Sequence, residues 1–136
     1  MPAESKELLN VPIAGAVSAV VSDPLAFMVD QVRELTLDCT FAYGSGGTTG
    51  KFWVQTSFDH GASWMDIFCF AVTTAAKRRL VNLTVIAVTS PATPADGTTA
   101  DDTAVNGFLG GMFRVKYTTT GTYAGATSIK IVGMVK

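Results

Sequence analysis

Five aspartates are the side chains best suited to chemistry: Asp59, Asp66, Asp96, Asp101 and Asp102. Two carboxyls about 5–10 Å apart in a cleft would serve glycoside hydrolysis, and the adjacent Asp101 and Asp102 would suit a hard cation. Their spacing argues against both. Asp96 to Asp102 lies in a Gly/Thr-rich stretch, where acidic side chains bond turns or face water. The Asp101-Asp102 pair lacks the alternating oxygen ligands of a calcium loop. His60, the single histidine, has no serine or cysteine nucleophile motif beside it. Together with Cys39 and Cys69 it does not complete the usual four-ligand zinc set. Gly44–Gly50 is glycine-rich but leads into a strand pattern, not into the helix N-terminus that a phosphate needs. No catalytic residue, metal or cofactor is expected, and the chain is not read as an enzyme.

The sharpest motif is Ser57-Phe-Asp59-His-Gly61-Ala-Ser63-Trp64. Asp59 is placed to accept turn amides, Gly61 to take a positive φ, and Trp64 to pack back over the turn. The run resembles the Asp-box of sialidases, a hairpin that is structural there and recurs several times in a much longer propeller. A single copy in 136 residues with four arginines implies the hairpin and not the activity. Ser57, Asp59, Gly61, Ser63 and Trp64 are therefore expected to hold a turn. Lys77-Arg78-Arg79 is the one basic cluster, read either as a solvated strand start or as the source of a salt bridge or an ionic contact with an acidic protein partner. Trp53 lies in opposite strand phase to Phe52 and Val54. An aromatic face there would stack sugars if exposed, or fill a core if not.

The elements that must position these residues are strands. Thr, Val, Phe, Ile and Tyr fall in short runs separated by Gly, Asp and Pro clusters. Strands are expected near Val11–Val21, Val32–Tyr43, Lys51–Phe58, Trp64–Thr73, Arg79–Thr89, Met112–Thr119 and Thr127–Val135, with a short eighth near Ala104–Phe108. Leu35, Leu37, Cys39, Phe41 and Tyr43 share one face of their strand, and Phe113, Val115 and Tyr117 share one face of theirs. Such period-two alternation belongs to sheets with one face on a core. The only helical candidates are Glu4–Asn10 and Ala75–Arg79. The fold expected is all-β: a single-domain antiparallel β-sandwich, jelly-roll-like, over residues 11–136, with residues 1–10 as a short N-terminal arm.

Composition narrows the function classes. Hydrophobic residues make up 48% of the chain and charged residues 15%, which excludes disorder; the Thr/Gly richness excludes a coiled coil. Ten basic against eleven acidic residues leave no excess for a nucleic-acid surface. No run reaches the ~18 apolar residues of a membrane helix. Residues 1–22 are not read as an export signal, because Glu4, Lys6 and Glu7 stand where a basic cluster is required. Cys39 and Cys69 are then expected as reduced buried thiols, with a disulfide across the sandwich as the lesser reading.

Two longer stretches go beyond generic β-structure: Phe52-Trp-Val-Gln-Thr-Ser-Phe-Asp-His-Gly-Ala-Ser-Trp-Met-Asp-Ile67 and Asn106-Gly-Phe-Leu-Gly-Gly-Met-Phe-Arg-Val-Lys-Tyr-Thr-Thr-Thr-Gly-Thr-Tyr-Ala-Gly125. Together they resemble small virion proteins of tailed bacteriophages, of the sandwich type used for capsid decoration or cement. The resemblance spans about residues 50 to 135 as a pattern of strand and turn. It implies a subunit made in the host cytoplasm that sits on the capsid surface, binds the major capsid protein and forms a homo-oligomer, with no nucleic-acid or membrane partner. Candidate interface residues are Leu8 and Leu9 on the arm, Lys77, Arg78 and Arg79, and Asp101 and Asp102. The competing reading is a tail- or fibre-associated module recognising host glycans through Trp53 and the loop near Asp96–Asp102.

Overall fold

A computed structural model describes residues 4–28, 31–87 and 91–136, and all ten elements are strands. They are β1 (Glu4–Pro12), β2 (Val17–Val21), β3 (Glu34–Ala42), β4 (Ser45–Gly46), β5 (Thr49–Ser57), β6 (Met65–Val72), β7 (Lys77–Thr84), β8 (Met112–Thr120), β9 (Tyr123–Ala124) and β10 (Ser128–Val135). One sheet has the order β1-β10-β3-β7 and the second the order β2-β8-β5-β6; the short β4 pairs with β9. Every pairing is antiparallel.

Leaving aside the two-residue pair, eight longer strands remain. Numbered in chain order they run first-eighth-third-sixth in one sheet and second-seventh-fourth-fifth in the other. That is the strand order of a jelly roll, two Greek keys folded face to face.

The alternation read in the sequence sets the packing. Leu35, Leu37, Cys39 and Phe41 of β3 meet Ile129, Ile131 and Val135 of β10 on the inner side of the first sheet. Phe52 and Val54 of β5, Phe68 and Phe70 of β6, and Phe113 and Val115 of β8 line the inner side of the second. Phe27 meets Phe113 edge-on at 5.6 Å, and Phe41 meets Tyr123 in the same way at 5.7 Å, arrangements that aromatic quadrupoles favour. Tyr123 is buried, and its hydroxyl donates to the carbonyl of Thr73 at 2.8 Å.

Several expectations are corrected. Residues 4–10 form neither a helix nor an arm; they are the body of β1, laddered on β10 from Glu4↔Val135 to Pro12↔Ser128. A bulge between Glu7 and Leu9 interrupts the period of two, so the adjacent Leu8 and Leu9 are both buried in this chain's own core. They are therefore not available as interface residues. Met1, Pro2 and Ala3 lie outside the described residues. The single strand expected over Val11–Val21 is two, split by the turn at Gly15, whose φ is 76°. Ala75–Arg79 is not a helix: Ala75 and Ala76 approach β7, and Lys77, Arg78 and Arg79 are its first three residues. β7 ends at Thr84, short of the expected Thr89; residues 88 and 89 of that range lie outside the described residues. Ala104–Phe108 makes an isolated bridge, Phe68↔Ala104, in place of an eighth strand.

Candidate functional site

The outer face of the β2-β8-β5-β6 sheet is where the sequence's polar candidates converge. On β5 and β6 nearly every residue is buried, on both faces. The inner face lies on the core. The outer face is covered by the segment after β7, which runs back along the free edge of β6. Asp66 N–H donates to Ala95 O at 2.7 Å, Asp102 N–H to Cys69 O at 2.8 Å, Cys69 N–H to Thr103 O at 3.1 Å, and Val105 N–H to Ile67 O at 2.9 Å. This irregular pairing caps an edge that would otherwise present open backbone groups.

Asp66 anchors the segment. Its side chain is buried, and it accepts amide hydrogens from Gly97 (2.8 and 3.0 Å), Thr98 (3.0 Å) and Thr99 (3.1 Å), together with Nε2 of Gln55 (2.8 Å). Consecutive N–H groups converging on one carboxylate form a small anion nest, here filled from within the chain. Gln55, fully buried, links the anchor to the next layer. Its Nε2 also donates to Asp96 Oδ1 at 2.7 Å, and its Oε1 accepts from Arg114 Nε at 2.7 Å. Lys116 Nζ reaches Asp96 at 3.1 Å, and the Arg114 guanidinium lies 4.5 Å over the Trp64 ring. Burial pushes the Asp96 carboxyl up, but hydrogen bonds from Gln55 and Lys116 and the charges of Lys116 and Arg114 outweigh it. The net effect holds it below the ordinary carboxylate value. Burial also lowers Arg114, against the pull of Asp96 and Asp66.

Trp53 sits under the same cover. It is 7% exposed, and its indole Nε1 donates to Thr99 O at 3.0 Å. It is therefore no open platform for a sugar ring.

The Ser57–Trp64 hairpin joins β5 to β6 beside this face. Asp59 Oδ1 accepts from Ser57 Oγ and from Ser63 N–H, each at 2.8 Å, and Asp59 Oδ2 accepts from Ser63 Oγ at 2.6 Å. Gly61 N–H donates to Ser57 Oγ at 2.8 Å, and Trp64 Nε1 closes the turn on Gly61 O at 3.1 Å. His60 and Gly61 both take positive φ, 57° and 90°. The Ser63 hydroxyl and amide, with Ser57, hold the Asp59 carboxyl down at about 2. His60 is exposed at the tip and Phe58 projects beside it.

The remaining candidates are distributed over ion pairs. Asp102 takes Lys77 at 2.7 Å and Asp101 takes Lys51 at 3.1 Å; these four line a cleft of about 280 Å³ at one end of the sandwich. Lys77 Nζ also donates to Ala71 O. Arg78 forms a two-pronged pair with Asp38, Nε to Oδ1 at 2.9 Å and Nη2 to Oδ2 at 2.8 Å, and this hydrogen bonding holds the Asp38 carboxyl below its ordinary value. Arg79 is exposed. Lys77, Arg78 and Arg79 thus do not form one patch: Lys77 is bound to Asp102 in the covering segment and Arg78 to Asp38 on β3. Cys39 and Cys69 are both buried free thiols; burial pushes the first up to about 12 and the second to about 11. No group of three or more His, Cys, Asp or Glu placed to hold a metal occurs among the described residues.

Gln55, Arg114 and Lys116 were not among the sequence candidates. Alternation along β8 does place Arg114 and Lys116 on the side opposite Phe113 and Val115. What covers that side depends on a segment forty residues from β5 with no core pattern of its own. The site therefore belongs to a class defined by its bonding: a jelly-roll sandwich whose acidic side chains fasten loops to sheet faces. No family model, curated protein or solved structure matches the chain.

Proposed function

We propose that this protein is a structural virion subunit that decorates or cements a phage capsid by binding its assembled shell. The observation that carries the reading is the jelly-roll strand order, an architecture shared by many viral capsid domains. The resemblance of Phe52–Ile67 and Asn106–Gly125 to phage decoration proteins supports it. So does the use made of the aspartates: Asp59, Asp66 and Asp96 stabilise a hairpin and a surface segment. Such a subunit stabilises a shell by mass action, because it binds the assembled lattice and not its free components. The burial of Trp53 weighs against the tail- or fibre-associated glycan-binding alternative. With β1 built into the sheet, the surfaces left for lattice contact are the outer face of the β1-β10-β3-β7 sheet and the loops at the sandwich ends.

The test is position and copy number on particles. Particles purified by density gradient from a lysate of the encoding genome are probed with antibody to this chain and imaged by electron microscopy. Label distributed over heads, in a stoichiometric ratio to the major capsid protein, is expected. Label confined to tails would move the protein to the alternative role, and its absence from particles would refute both.

A further inference from the structure

Three of the four outer strand edges are covered or distorted. The edge of β6 carries the segment from Ala95 to Val105. The edge of β1 is crossed by contacts to Ala26 and Met28 and ends in Pro12, and β2 is a five-residue strand whose register shifts between Val17 and Val20. β7 is different. It pairs with β3 in unbroken register over eight residues, from Glu34↔Thr84 to Phe41↔Lys77, without proline or bulge.

The hydrogen bond from Val85 N–H to Arg33 O continues this ladder and sets its phase: odd-numbered residues of β7 bond to β3, and even-numbered ones face outward. Thr84, an even residue, indeed donates its N–H away from β3, to Asn106 Oδ1 at 2.8 Å. Arg78, Leu80 and Asn82 are left. Among the described residues, the backbone groups of Leu80 and Asn82 and the N–H of Arg78 have no partner, while Arg78 O holds the guanidinium of its neighbour Arg79. Leu80 is 63% exposed.

We propose that β7 is a self-association edge on which a second copy of this chain adds its own β7, antiparallel, about a two-fold axis at Leu80. This proposal is independent of the virion reading. The register follows from charge. Placing Leu80 opposite Leu80 of the second copy puts Arg78 opposite Asn82 and Arg79 opposite Val81, so no like charges face each other. Shifting the axis to Arg79 sets Arg79 against its own copy. Shifting it to Val81 draws in Thr84, whose N–H is already taken. Arg78 is in addition neutralised by its two-pronged pair with Asp38, so its side chain lies along the sheet and leaves the edge open. Four backbone bonds form as the chains stand, two at Leu80 and two from Arg78 N–H to Asn82 O. Two more follow when Arg79 swings off Arg78 O. The result is one continuous eight-stranded sheet, with the exposed leucines side by side on its outer face.

Cysteine scanning tests the register directly. Across a hydrogen-bonded antiparallel pair the Cα atoms lie about 5.5 Å apart, inside the disulfide range. In this register Asn82 is offset from its own copy by four residues, about 13 Å along the strand, and cannot cross-link to it. Leu80→Cys is expected to oxidise to a covalent dimer at least about tenfold faster than Asn82→Cys at equal concentration. An equimolar mixture of Arg78→Cys and Asn82→Cys is expected to give the mixed disulfide. The buried Cys39 and Cys69 contribute no background while the protein is folded. Sedimentation of the unaltered protein over a hundredfold concentration range is expected to show reversible dimer. Leu80→Pro, which removes only an outward N–H and spares the β3 ladder, is expected to weaken it at least about tenfold. Equal oxidation rates at positions 80 and 82, or a monomer at every concentration, would overturn the proposal. Circular dichroism of each variant verifies that the sandwich is intact.

Discussion

Replacing Asp66 is the perturbation that tests most of the site at once. In Asp66→Ala the amides of Gly97, Thr98 and Thr99 lose their acceptor, and Gln55 loses one of its two. A hydrogen bond to a charged group contributes about 1.5–3 kcal/mol, and a buried donor left unmade costs about 1–3 kcal/mol. The full sum does not apply, because the loop amides lie near the surface and recover water once the segment lifts. Gln55, buried under the same segment, keeps its bond to Asp96 and recovers water only to the extent that the segment lifts. A net loss of about 2–4 kcal/mol follows, which in a domain of this size lowers Tm by roughly 8–16 °C. Asp66→Asn keeps the volume but turns an amide NH2 toward amide donors, so it is expected to lose nearly as much. Thermal unfolding supplies the magnitude. Amide hydrogen exchange at residues 97–99 and the indole emission of Trp53, which is tied to Thr99, supply the location. A Tm within about 2 °C of the parent in both variants, with exchange at 97–99 unchanged, would refute the anchoring argument.

Other predictions follow from the hairpin, the glycines and the thiols. Because the Asp59 carboxyl is held down at about 2 in the folded chain, the stability it contributes is complete above its unfolded value near 3.9. That stability is lost as pH falls through about 2, so the acid limb of a Tm-against-pH curve is expected to flatten in Asp59→Asn; an unchanged limb would contradict this. Gly110→Ala would drive a methyl into the carbonyl oxygen of Ser57, whereas Gly111→Ala meets nothing within 4 Å. Urea unfolding is expected to show a loss of about 2–4 kcal/mol for the first and under about 1 kcal/mol for the second. Cys39 and Cys69 are expected to resist an aromatic disulfide reagent at pH 8 until denaturant is added, since burial raises both thiols. Prompt reaction of either in the native protein would count against their burial.

Where one face of a strand is polar and the other apolar, the sequence was easy to read. β3 and β8 alternate cleanly, and their inner residues are the ones identified from spacing. The hairpin was equally legible, since every bond in it joins residues within four positions of each other. β1 was not. Its charged residues occupy the first turns of the pattern, and the bulge at Leu8 places two neighbouring leucines inward, which reads as the end of an arm. The outer face of β5 and β6 was hidden for another reason. Gln55 and Asp66 look like solvent-facing positions, and their burial depends on the segment from Ala95 to Val105 folding back over them. Local periodicity carries no record of a cover that arrives from so far along the chain.

The position of β10 sets the order in which this molecule can be made. Its neighbours are β1 and β3, so the last of the described strands is inserted between two of the earliest. Until it leaves the ribosome, the first sheet lacks an interior member, and the facing backbone edges of β1 and β3 stand open at once. The first sheet therefore cannot close until residues 128–135 have emerged, and the waiting chain depends on dilution or chaperones to keep those edges from pairing with other molecules. A stop introduced between Thr127 and Lys130 would not merely trim a tail. It would remove the keystone and yield a sticky, unclosed nascent product.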